Sequence, residues 1–245
     1  MKRQIAHTGL KPAAGSFIQD YANPMGRLIS LQNEHTCLLM IADYHTLKSG
    51  SYVGRNIEDS VTEMVLDALA LGFNLVRGIC FLQSQVPQLA ELASILSNLV
   101  HAKRLLGKDS LDDTTYGHLG YSLFQAAYIL MFGPTLVPVG VDQEDRILLA
   151  QGLAGQFNER FGDVFHKPTS IYTGIGDCNC VLGEEFESRR QQLEKVPGLV
   201  GDVLNLGCSE ARVQGQHTLE RVKKAIGFGY TDIACVGVQF PEIPS

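Results

Sequence analysis

No stretch of this chain approaches the ~18 consecutive apolar residues that cross a bilayer, and the opening Met1-Lys2-Arg3-Gln4 leads into no long apolar run. A soluble, untargeted, cytoplasmic protein with no membrane partner is expected. Positive charge is also scarce: 20 Lys and Arg against 26 Asp and Glu leave a formal charge of −6. That balance excludes a global attraction to polyanions and confines any RNA contact to a local basic patch. Lys103, Arg104 and Lys108 are the candidates for such a patch, and a solvated helix face accounts for them equally well. The cysteines at 37, 80, 178, 180, 208 and 235 include no Cys-x-x-Cys pair, and three of them sit in apolar or strand-like contexts, so reduced thiols are expected rather than disulfides. Cys178 and Cys180 near His166 form only a Cys-x-Cys pair and read as free thiols on a loop. Neither a metal nor another cofactor is expected. Internal repeats and low-complexity tracts are lacking as well.

What is present is apolar enough to fold. With 45% hydrophobic and 19% charged residues in 245, the chain can bury a sizeable core as one globular domain with a small appendage. Cys37 to Ala42 is a continuous apolar run of strand length, and Ile79 to Leu82 is another. Between them Val61, Met64, Val65, Ala68 and Leu69 fall at helical spacing, with Ser60 and Glu63 as a capping box and Gly72 as the stop. Pro87 opens a second helix and Leu119 to Phe132 a third; Leu136 to Val139 is a short strand, followed by a helix from about Gln143 to Phe161. This alternation predicts an α/β fold, a Rossmann-like parallel sheet with helices on both faces and its ligand site at the carboxyl ends of the strands. Pro168 to Gly183 is rich in glycine and turn formers, which places a boundary between a core of residues 1–168 and a loop with a short helical C-terminal remnant over 169–245. The remnant is expected to hold helices from Glu184 to Lys195 and from Thr218 to Ile226.

Clustered short matches then carry a resemblance. Thr8-Gly9-Leu10-Lys11-Pro12, Leu31-Gln32, Ile41-Ala42-Asp43-Tyr44-His45, Glu63-Met64-Val65, Gln83-Ser84-Gln85-Val86-Pro87, Ala126-Ala127, Leu136-Val137-Pro138-Val139-Gly140 and Asp142-Gln143 occur in one order, with Pro197-Gly198, Gly215-Gln216 and Gly229-Tyr230 behind them. Together they resemble the tryptophanyl-tRNA synthetases, class I enzymes, over most of the chain. The resemblance implies a homodimer paired through the helices near Leu96 to Leu106 and the segment that follows. It also places Lys103, Arg104 and Lys108 where such enzymes approach the tRNA acceptor end.

Departures from the family pattern are ordered. Phe17-Ile18-Gln19-Asp20 stands where the family has its histidine signature for ATP phosphates, and Asp20 would repel a polyphosphate. Gly174 to Cys180 occupies the connection where the family carries its mobile lysine signature; the resemblance implies that several dozen family residues are missing there, and the family's long final helices are not expected after Tyr230. Without both signatures, the electrostatic stabilisation that adenylate formation needs is lost.

The implied amino-acid pocket is better kept. Tyr121 and Gln143 match positions that contact the substrate's ammonium group, and His45 matches a position lining the same cavity. Tyr128 stands where the family aspartate accepts the indole N–H, and Gln125 where methionine is usual. The substrate-binding candidates are therefore His45, Tyr121, Gln125, Tyr128 and Gln143; Tyr128 as a plain core aromatic is the alternative. For catalysis the weak candidates are Ser16, His45 and Tyr128, and for Ser16 a turn or cap serine is the favoured reading. The expected function is a synthetase-like protein that does not activate an amino acid with ATP but acts, in specialised metabolism, on an amino acid or on an aminoacyl group already carried by tRNA. The alternatives are a noncatalytic paralogue that senses an amino acid or regulates a partner, and an atypical aminoacyl-tRNA ligase.

Overall fold

The computed structural model describes residues 4–12, 19–49, 56–106, 112–133, 136–139, 144–172 and 183–229. Strands β1 (Ile5–Leu10), β2 (Thr36–Ile41), β3 (Gly78–Leu82), β4 (Leu136–Val139) and β5 (Thr169–Tyr172) form one sheet in the order β3-β2-β1-β4-β5. All its pairings are parallel, with Ile5 opposite Thr36, Cys37 opposite Gly78, Ala6 opposite Leu136 and Leu136 opposite Thr169. Parallel strands need crossovers, and helices supply them. α1 (Gln19–Leu31) joins β1 to β2; α2 (Tyr44–Ser49) and α3 (Ile57–Ala70) join β2 to β3. α4 (Gln88–Ser97), α5 (Ala102–Leu106) and α6 (Tyr116–Met131) lead to β4, and α7 (Glu144–Phe161) leads to β5. The fold is the expected Rossmann-like one. β5 begins one residue past the boundary suggested at 168 and pairs with β4, so the sheet continues beyond that point.

Continuous apolar runs form the central strands because both faces are covered. In β2, Leu38 and Met40 pack with α4, α6 and α7, whereas Cys37, Leu39 and Ile41 pack with α1 and α3. Cys37, Cys80 and Cys208 are buried free thiols, and Cys178, Cys180 and Cys235 lie outside the described residues. Among the described residues no helix is long and apolar enough to cross a membrane, and no group of His, Cys, Asp and Glu has a metal-holding arrangement.

Two local expectations need correction. α3 starts at Ile57, not after Ser60: the Asn56 side chain accepts from Glu58 N at 3.0 Å, so the cap lies a full turn earlier than a Ser60–Glu63 box would place it. Its end is as expected, with Gly72 at φ +100° and the backbone bonds Gly72 N to Leu69 O and Phe73 N to Ala68 O closing the last turn. The second correction concerns the helix expected over Thr218 to Ile226, which is only the last third of α9 (Leu199–Ala225), a helix of 27 residues that follows α8 (Glu184–Glu194). Gly201, Gly207 and Gly215 weaken its helical signal, yet Gly207 is required where it stands. A Cβ there would overlap the Cys80 carbonyl, because α9 packs directly on edge strand β3. The Leu82 amide donates to Cys208 Sγ at 3.3 Å across this contact. α9 thus covers an edge that would otherwise offer unpaired backbone groups.

α8 is held to α3 by a buried guanidinium. Arg190 Nε donates to Asp67 Oδ1 at 2.7 Å, Nη1 to Glu194 Oε1 at 2.6 Å, and Nη2 to Glu63. Each guanidinium nitrogen has a carboxylate, which suits a charge buried in a helix interface.

Candidate functional site

The carboxyl ends of β1, β2 and β3 meet the face of α6 that carries Tyr121, Gln125 and Tyr128. These positions are four and three residues apart and so share one side of the helix. All three are buried. Tyr121 stacks on His45 of α2, with ring centroids 4.3 Å apart and an interplanar angle of 18°. His45 is placed by the β2–α2 turn: Asp43 Oδ1 accepts from Tyr44 N at 3.1 Å and from Ser84 N at 3.0 Å, tying the end of β2 to the end of β3. Tyr44 packs edge-on against Phe124 at 5.8 Å.

Tyr128 reaches over β1. Its ring lies edge-to-face on His7 at 5.1 Å, and its hydroxyl end lies over Gly9, where an added Cβ would sit 3.3 Å from the phenol oxygen and 2.9 Å from Met40 Cε. Glycine at 9 is what lets the phenol settle there. Burial raises both phenols, Tyr128 to about 12, and the Arg146 cation at the start of α7 acts in the opposite direction on each. Both phenols stay protonated and can donate.

Three residues of this cluster escaped the sequence reading. Arg146 is half-buried and within electrostatic reach of Tyr121 and Tyr128. Gln83, fully buried beside the Tyr121 phenol, has neither amide atom in a hydrogen bond of ordinary geometry. His7 is buried on β1, and burial lowers its pKa from 6.5 to about 3 against a backbone hydrogen bond with Ile129 that raises it. A histidine inside an apolar strand was a usable signal; Gln83 and Arg146 gave none without the chain's path.

The structure therefore brings His45, Tyr121, Gln125 and Tyr128 together. Gln143 and Ser16 lie outside the described residues, as does Lys108. Lys103 and Arg104 are exposed on α5, and the Arg104 guanidinium lies against Gly152 of α7, where a Cβ would be 2.9 Å away. Beside Tyr121 opens a cleft of about 710 Å³ between α2, α4 and α6, lined by Tyr44, Leu47, Ala93, Tyr116 and Phe124 among others.

Residues 2–177 match the family described as tRNA synthetases class I (W and Y). The tryptophan–tRNA ligase of Treponema pallidum is 33% identical over 96% of this chain and 67% of its own length. This chain belongs to the tryptophanyl-tRNA synthetase family. The Borreliella burgdorferi tryptophan–tRNA ligase is 36% identical over 71% of this chain, which spans about half of that relative, 53%. Among solved structures, the tryptophanyl-tRNA synthetase of Campylobacter jejuni superposes with a TM-score of 0.78 at 19% identity, covering 91% of this chain and 99% of that one. At that identity the likeness speaks for the synthetase fold alone. A second C. jejuni structure, complexed with ADP and tryptophan, superposes at 0.77, again at 19% identity, covering 91% of this chain and 99% of that one.

Proposed function

We propose that this protein keeps the amino-acid pocket of a tryptophanyl-tRNA synthetase without its ATP chemistry, and acts on an amino acid or on an aminoacyl group delivered by tRNA. The observation that carries the reading is the retention of Tyr121 stacked on His45 after the Asp43-Tyr44 turn, with Tyr128 and Gln125 replacing family residues on the same face of α6, beside signature positions that hold Phe17-Ile18-Gln19-Asp20 and Gly174 to Cys180 instead of histidines and lysines. Tyr121 and Gln143 would meet the ligand's ammonium group, while Gln125 and Tyr128 would pack on its side chain. A synthetase of this fold solved in complex with ADP and tryptophan supports an amino acid as the ligand. Two copies would pair through the helices near Leu96 to Leu106, and the exposed Tyr116 and Leu47 of the adjoining cleft would be covered with them.

A second reading has one observation in its favour. Identity of 33% over 96% of the chain with a tryptophan–tRNA ligase supports ordinary ligase activity. Amino-acid-dependent exchange of pyrophosphate into ATP separates the two: the proposal expects no exchange with any proteinogenic amino acid, together with a raised melting temperature for one or more amino acids or charged tRNAs. Robust exchange would establish the ligase reading instead.

A further inference from the structure

At the amino ends of β4 and β5, the end of the sheet opposite the amino-acid pocket, a recess of about 220 Å³ opens between the close of α6, the segment leading into β5 and the last turns of α9. Buried Phe132 and Val164 belong to its apolar lining, and its polar side chains are His166, Thr218 and Arg221. The wall before β5 is held from behind. The Asn158 side chain accepts from Val164 N at 3.1 Å and from Phe165 N at 2.9 Å, and it donates to Phe165 O at 2.8 Å. Arg221 Nη2 then donates to Val164 O at 2.6 Å, which anchors the guanidinium by one nitrogen to that fixed segment. The recess is thus formed in advance of any ligand. His166 and Arg221 are exposed residues, so a solute reaches them without moving the core.

We propose that this recess binds a small phosphate compound, either inorganic phosphate or a compact phosphate monoester. With Nη2 engaged at Val164, the Arg221 Nε and Nη1 remain as charged donors. Thr218 lies three residues before Arg221 and so shares its face of α9, adding a hydroxyl. His166 adds a ring nitrogen from a different element. Among the described residues no carboxylate lines the recess, so nothing there competes for the guanidinium or repels an anion. The C-terminal turn of α9 carries partial negative charge, and Lys223 and Lys224 offset it. A planar carboxylate satisfies the guanidinium fork and has no further oxygen for Thr218 and His166. A tetrahedral phosphate presents oxygens outside one plane and can meet all three. Size sets the upper limit: about 220 Å³ is below the roughly 300 Å³ at which drug-sized pockets begin, which favours a compact anion over a nucleotide. This site is independent of the amino-acid pocket and stands or falls without it.

Calorimetry on the whole chain at fixed ionic strength tests this, with inorganic phosphate, glycerol 3-phosphate and malonate as the three titrants. One of the two phosphates is expected to bind at one site per chain with a Kd of about 1 mM or below, and malonate about fivefold more weakly or worse. Tighter binding of glycerol 3-phosphate identifies a monoester as the occupant, and tighter binding of inorganic phosphate identifies the free ion. Arg221→Gln should weaken the preferred phosphate by about tenfold or more, and Thr218→Val or His166→Asn by about threefold each. Arg189→Gln, an exposed change on α8, should leave the affinity as it was. No saturable binding of either phosphate up to about 20 mM overturns the site. Malonate binding as tightly as phosphate overturns the phosphate assignment, and an unchanged affinity in folded Arg221→Gln overturns the location. Should Arg221→Gln fail to fold, Thr218→Val and His166→Asn decide, and an unchanged affinity in both overturns the proposal.

Discussion

Two buried polar clusters lie on opposite faces of the sheet, and they are finished differently. Between α3 and α8, Arg190 meets Asp67, Glu63 and Glu194, and the guanidinium spends its nitrogens on carboxylates. Between α6 and the strand ends, His7 Nε2 is buried with no protein partner, and the buried Gln83 amide meets the Tyr121 phenol only in poor hydrogen-bond geometry. Both clusters remove polar groups from water, and only the first returns the hydrogen bonds. A cluster that is satisfied within the chain holds the fold; one that is not has been left for something else to satisfy, or it is a standing loss of stability.

Substitutions sharpen the contrast. The largest effect should come from Arg190→Met, which strands Asp67 in the α3–α8 interface and should lower unfolding free energy by about 3–5 kcal/mol in urea denaturation. A loss below about 1 kcal/mol would mean that the matched cluster does not hold α8. Next comes acid. His7 has a folded pKa of about 3 against 6.5 unfolded, so below pH 6.5 the unfolded chain takes up a proton that the native chain refuses. Stability attributable to His7 is intact above pH 6.5 and falls as pH drops from there toward 3, by about 2 kcal/mol at pH 5. His7→Phe should flatten that part of the profile; an identical slope in the variant would contradict it.

Gln83→Leu should do the opposite of Arg190→Met. Replacing this poorly paired amide by hydrocarbon of similar size should leave the ligand-free melting temperature unchanged or raise it, by up to about 1–2 kcal/mol in stability. A loss comparable to that of Arg190→Met would show that Gln83 is satisfied and that the clusters are alike. The smallest effect tests a helix start. Asn56→Ala should cost about 1 kcal/mol and Ser60→Ala a few tenths at most, read from the same denaturation curves; the reverse order would return the cap of α3 to Ser60.

How much of this was legible depended on the range of the interactions. β2, β3 and β4 were read to within a residue or two because strands covered on both faces are written as unbroken apolar runs. The α6 residues Tyr121, Gln125 and Tyr128 were legible only through the family resemblance, and the structure puts them on one helix. β5 was not, being four residues inside a turn-rich stretch. α9 was seen only in its last third, because its glycines lower local helical propensity, and the reason for Gly207 lies 127 residues away, at the Cys80 carbonyl.

The amino-acid sequence by itself therefore determined the parallel α/β architecture and the synthetase family, which follow from periodicity and short ordered motifs. Only the tertiary structure decided that His7 meets Tyr128, that Gln83 lies beside Tyr121, that Arg146 reaches both phenols, and that α9 closes the edge at β3. The reason is physical. A residue's propensity and its contribution to a pattern are local, whereas whether a buried polar atom is paired, or a glycine is irreplaceable, depends on neighbours brought from distant parts of the chain.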